Sequence, residues 1–126
     1  MKVFIALLSL FFLSLSCVGR EDNLQEQEKE ALSKAFNELY AISVSVKCTN
    51  GDEWKFAPAG DKPCGGPATY IPYHKSIDEA MFLKLVEDYS KAHKAYNEKW
   101  GAVSDCSITP MPKGVSCVDG KPVFNL

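Results

Sequence analysis

Four cysteines, Cys48, Cys64, Cys106 and Cys117, fall within a chain of only 126 residues that begins with a short apolar run. An even cysteine set in a small exported domain reads as a disulfide framework. Zinc is the other use of clustered cysteines, and it needs closely paired ligands. Here 15, 41 and 10 residues intervene between successive cysteines, so no such pair exists. Four cysteines allow three pairings. Cys48–Cys64 and Cys106–Cys117 are favoured because each closes a short local loop, worth about 3 kcal/mol per bridge. A domain this small has a marginal core and gains from such staples.

The expectation of export comes from residues 1–16, MKVFIALLSLFFLSLS. Lys2 supplies a positive start, and an apolar run follows that is too short to span a bilayer, where about 20 residues are needed. Small residues Ser14 and Ser16 close it, the three-part form of a secretory signal. The fifth cysteine, Cys17, stands directly after it. Ser14-Leu15-Ser16-Cys17 resembles a bacterial lipobox, in which the cysteine becomes the acylated N-terminus. Ser14 replaces the usual leucine of that pattern, and Leu15 replaces a small residue. Two fates stay open: residues 1–16 are the signal and Cys17 is lipidated, or residues 1–19 are removed and the domain is free. Either way residues 20–126 form a single domain.

Along that domain, Leu24, Glu28, Leu32, Phe36 and Leu39 recur at near-helical spacing and predict an amphipathic helix over 23–40. Ile42, Val44, Val46 and Cys48 then alternate with small or polar residues, as in a half-buried strand. With Asn50-Gly51 as the turn, they predict a hairpin over 42–58. Residues 58–67 carry three prolines and three glycines and read as a loop. Tyr70-Ile71-Pro72-Tyr73 is a candidate edge strand, since proline cannot donate to a ladder. Ser76 and Glu79 suit a capping box. Phe82, Val86, Tyr89, His93, Tyr96 and Trp100 mark a second helix over 77–100, stopped by Gly101. Val115–Val118 and Lys121–Phe124 flank Asp119-Gly120 as a short hairpin. The sum is an α+β domain: two amphipathic helices on one face of a small antiparallel sheet, with two disulfides.

Composition narrows function. A formal charge of −2 and a pI near 5.7 exclude the basic footprint of a nucleic-acid binder and that of a polybasic membrane binder. Membrane contact is then expected only through a lipid on Cys17. His74 and His93, the only histidines, stand outside any HExxH pattern, and no phosphate loop, nucleophile elbow or dinucleotide fingerprint occurs. No metal, cofactor or catalytic residue is assigned. Trp54, Phe56, Tyr70, Tyr73, Tyr89, Tyr96 and Trp100 fall at strand or helix spacing and read as core before they read as a binding platform. The turn Cys64-Gly65-Gly66-Pro67 is read as a tight turn under the sheet, with a rigid ligand-contacting loop as its functional alternative.

The most suggestive segment runs from Cys106 to Cys117. If its ends pair, they close a ring holding Pro110 and Pro112, whose rings keep the chain extended. An exposed extended ring loses little entropy on docking. It resembles the proline-containing disulfide ring of Bowman–Birk inhibitors, which implies a serine protease as partner. Thr109, Met111, Lys113 and Gly114 are the candidate contacts, with Lys113-Gly114 as the contact bond for a trypsin-like enzyme.

Trp54-Lys55-Phe56, Cys64-Gly65-Gly66-Pro67, Tyr70-Ile71-Pro72-Tyr73, Ser104-Asp105-Cys106 and Asp119-Gly120-Lys121-Pro122 together resemble small exported bacterial four-cysteine proteins. That resemblance implies export and four structural cysteines, and no activity. The expected function is therefore a monomeric, exported, non-catalytic domain that binds a protein or peptide partner through 107–116, a protease inhibitor in its sharpest form. The alternatives are an envelope lipoprotein anchored through Cys17 and a small enzyme without a local motif.

Overall fold

A computed structural model describes residues 18–126. The signal-like segment and Cys17 lie outside the described residues. Helix α1 spans Val18–Ser43, a single 3-10 turn covers Gly51–Glu53, and strands β1 (Trp54–Ala59) and β2 (Thr69–His74) follow. Helix α2 spans Glu79–Trp100, and strands β3 (Gly114–Val118) and β4 (Lys121–Asn125) end the chain. The strands form two antiparallel pairs, β1 with β2 and β3 with β4. The fold class is α+β, as the patterning predicts. Among the described residues no helix is long and apolar enough to cross a membrane.

The β1–β2 ladder separates two layers. Ala57, Ala59, Ile71 and Tyr73 face the helices and are buried with Leu39, Phe82 and Val86 in one core. Alanines on β1 let α2 approach the sheet closely, while Phe82 fills the space against Tyr73, ring centroids 5.0 Å apart. Phe36 of α1 meets Tyr89 of α2 at 5.4 Å. The far end of this helix pair is closed by Glu28, which accepts from Trp100 Nε1 at 2.7 Å and pairs with Lys99. On the opposite side of the ladder Phe56 packs edge-on against Phe124 of β4, centroids 6.0 Å apart. The Asp119-Gly120 turn has φ of 51° and 75°, the two positive angles a tight hairpin turn requires.

Three expectations fail, each for a physical reason. The strand expected over 42–48 is absent, because α1 continues to Ser43. Ile42 sits three residues after Leu39, so the helix extends its apolar stripe onto the core there. Beyond it Val44, Val46 and Cys48 are still more buried than Ser45 and Lys47, but no ladder forms. Asn50-Gly51 is not a hairpin turn. Asn50 stays extended at φ −139° and its side chain caps the 3-10 turn by accepting from Asp52 N–H. Gly51 serves a close approach instead: a Cβ there would lie 2.1 Å from the Val115 carbonyl oxygen. The strand that pairs with β1 is thus β2, in the register Phe56 opposite Pro72. Pro72 is tolerated because a two-stranded ladder leaves each strand an edge.

The third correction is the start of α2. Asp78, not Ser76, is its cap, accepting from Met81 N–H at 3.0 Å. Ser76 is held by His74 Nδ1, at 2.7 Å from its hydroxyl. Glu79 turns instead to Lys55 Nζ at 2.7 Å and accepts from the Tyr73 hydroxyl at 3.2 Å. The Lys55 hydrogen bond holds the Glu79 carboxyl below its ordinary range. Gly101 ends the helix in the left-handed conformation at φ 60°.

Candidate functional site

The disulfides decide where the candidate loop sits. Cys48 pairs with Cys117 and Cys64 with Cys106, with Cα atoms 5.3 Å apart in both. The local pairing Cys48–Cys64 and Cys106–Cys117 is overturned. Cys48 lies against the β3–β4 hairpin, its N–H donating to Gly120 O at 2.9 Å, so Cys117 of β3 is its neighbour. There is therefore no ring from 106 to 117, and the likeness to a closed inhibitor ring loses its geometric basis.

What replaces the ring is a loop over 102–113 without helix or strand, pinned along its length. Ala102 N–H donates to Asn97 O at 3.0 Å, continuing the cap of α2. Cys106 is bonded to Cys64 in the turn between β1 and β2. Lys62 of that turn donates to the carbonyl oxygen and hydroxyl of Ser107 and lies 3.7 Å from Asp105. Asp105 accepts from the backbone N–H and hydroxyl of Ser107, at 3.0 and 2.8 Å, which holds its carboxyl below the usual value. The Thr109 hydroxyl donates to Pro67 O at 2.9 Å. Pro112 is buried, and Lys113 N–H donates to Asn125 O at 2.7 Å as β3 begins. Cys64-Gly65-Gly66-Pro67 is the seat on which this loop rests. Gly65 and Gly66 take φ of 95° and 85°, which lets the chain reverse there.

The four sequence-nominated residues separate. Thr109 is a tether. Lys113 projects its side chain to solvent, but its N–H is committed to Asn125. Gly114 is the first residue of β3, paired with Asn125. Only Met111 presents an apolar side chain, at 69% exposure. Sequence patterning overlooks Ile108 and Val103, exposed at 91% and 93%. Their signal was available as apolar residues inside a polar, proline-marked stretch with neither period. Cys106 itself has φ 58°, sparsely populated for a residue with a side chain.

The other candidates are structural. Trp54 and Tyr73 are buried, and Tyr70 meets Phe56 at 5.9 Å. His93 is half-buried; its Nδ1 accepts from Asp61 N–H at 3.2 Å. The depression beside it, about 470 Å³, is lined by Lys29, Ser33, Phe36, Asn37, Tyr89 and Tyr96 among others, with no carboxylate. Burial holds the His93 pKa below its ordinary 6.5. A folded value below the unfolded one means that the stability His93 contributes is complete above pH 6.5 and is lost as pH falls through the folded value. Denaturant titrations from pH 7 to pH 4.5 should show this decline, and His93→Gln should flatten it. Above pH 7 that substitution should cost about 1 kcal/mol, the worth of one hydrogen bond.

No protein-family model, curated protein or solved structure matches the chain.

Proposed function

We propose that the chain is an exported, non-catalytic binding domain that engages a protein partner through the 102–113 loop, with a serine protease as the first partner class to test. The observation that carries this is Ile108. It is 91% exposed, yet Cys106 two residues before it is disulfide-bonded and Thr109 after it is hydrogen-bonded to the underlying turn. An apolar anchor held outward on a pinned chain meets a partner with its ordering entropy already removed. Val103 and Met111, before and after it in the same loop, are further exposed apolar side chains. Export is supported by the signal-like start, and the two disulfides suit an oxidising compartment.

Within this reading the anchor moves from Lys113 to Ile108. A docking edge needs free main-chain groups, and Lys113 and Gly114 spend theirs on β4. The target is then a protease with an apolar specificity pocket in place of a trypsin-like one.

Inhibition constants against serine proteases of apolar and of basic specificity test the proposal. Wild type should inhibit the apolar class. Ile108→Asp should weaken inhibition by about 100-fold, as for a central anchor, without lowering stability, because the side chain touches little. Lys113→Ala should stay within about twofold, the behaviour of a peripheral contact. Inhibition that survives Ile108→Asp, trypsin-like inhibition lost with Lys113→Ala, or no inhibition of any enzyme would each overturn the assignment.

A further inference from the structure

The two disulfides stand in opposite environments. Cys48 is 2% exposed, and its partner Cys117 on β3 is half-buried. Cys64 and Cys106 are both exposed. The adjoining turn is open: a Cβ at Gly65 or Gly66 would meet no atom within 4 Å beyond its chain neighbours. The bridge also fastens the loop that carries Ile108, and Cys106 is held at φ 58° while bonded.

The geometry points to the Cys64–Cys106 bridge as a site of thiol–disulfide exchange with an external dithiol, which releases the 102–113 loop while Cys48–Cys117 keeps the body folded. Exchange requires a thiolate to reach a sulfur along the S–S axis, so access decides which bridge reacts. A thiolate of the dithiol attacks Sγ of Cys64, the S–S bond breaks, and Cys106 departs as a thiolate that takes up a proton. The second thiol of the reductant then attacks its own sulfur in the mixed disulfide. It expels the Cys64 thiolate, which is protonated in turn, and closes the reductant's disulfide. Two electrons and two protons pass to the bridge. The Ser104 carbonyl oxygen lies 3.7 Å from Cys106 Sγ and 4.0 Å from Cys64 Sγ, an acceptor in place for either new S–H. With the bridge open, the loop near its apex keeps only the Lys62 contacts to Asp105 and Ser107 and the Thr109 hydroxyl bond to the turn, non-covalent contacts worth about 1 kcal/mol each that local opening can break. Cys106 is then free to leave its left-handed conformation. The regulatory consequence, loss of partner binding on reduction, rests on the proposed role of the loop; the exchange site itself does not.

Graded reduction of the full domain with dithiothreitol, followed by alkylation and peptide mapping, tests this. Cys64 and Cys106 should be alkylated at least about tenfold faster than Cys48 and Cys117, whose opening requires larger unfolding. Thermolysin added after the thiols are blocked should then cut before Ile108 at least about tenfold faster than in the oxidised protein. Cys64→Ser/Cys106→Ser should reproduce that sensitivity with the melting transition retained. Simultaneous opening of both bridges, or a loop no more sensitive after selective reduction, would overturn the proposal. Protease inhibition is measured in parallel. If the oxidised protein inhibits nothing, the Ile108 assignment fails, and the alkylation and cleavage rates still decide the exchange site.

Discussion

Replacing Cys48 and Cys117 together by alanine is expected to lower stability by about 4 kcal/mol and the melting temperature by about 20 °C. The bridge spans 69 residues, so its removal frees a long loop in the unfolded chain. It also joins the β3–β4 hairpin to the body. Without it the hairpin retains the Cys48 N–H bond to Gly120 O, the Phe56–Phe124 contact and the close approach of Gly51 to Val115. A lone two-stranded hairpin is marginal in water. Amides of 114–125 should therefore lose exchange protection before those of α2. Thermal melts with hydrogen exchange read both effects; a loss below about 1 kcal/mol would contradict the role given to this bridge.

Phe82→Ala should cost about 4 kcal/mol in the other layer. Phe82 is fully buried where α2 crosses the sheet, against Tyr73, and it belongs to the core with Leu39, Ile71 and Val86. Truncation removes its transfer free energy and leaves a cavity that the alanines of β1 are too small to fill. Leu83→Ala, one position round the same helix and 37% exposed, should change stability by no more than about 0.5 kcal/mol. Denaturant midpoints of the two variants decide it. Similar losses in both would mean that α2 presents a different face to the sheet.

The two helices were legible because their apolar spacing runs over many turns and Gly101 marks a stop. The second hairpin was legible because Asp119-Gly120 allows the two positive φ angles its turn needs. The segment after Leu39 was ambiguous in kind. Ile42, Val44 and Val46 fit a strand by alternation, while Ile42 also fits the helix stripe, and packing against the core decided for the helix. Asn50-Gly51 reads as a hairpin turn in isolation, but the demand on Gly51 comes from β3, more than 60 residues away in sequence. Disulfide pairing failed for the same reason. Preference for short loops describes the ease of closure in an unfolded chain; the native pairing follows from which segments the sheet and hairpin bring together. The candidate loop was legible as an irregular, proline-marked segment. Its presented residues were marked only as apolar residues outside either period, and sequence alone does not tell whether such a residue turns outward, as Ile108 does, or inward.

The most direct test of the account is the clamp on that loop, and trypsin followed by non-reducing mass mapping reads it. Cleavage after lysine, except before proline, leaves each cysteine on its own peptide: 48–55, 56–75, 100–113 and 114–126. The fold predicts 48–55 linked to 114–126 and 56–75 linked to 100–113. Finding 48–55 linked to 56–75, and 100–113 to 114–126, would restore the closed 106–117 ring and contradict the loop described here.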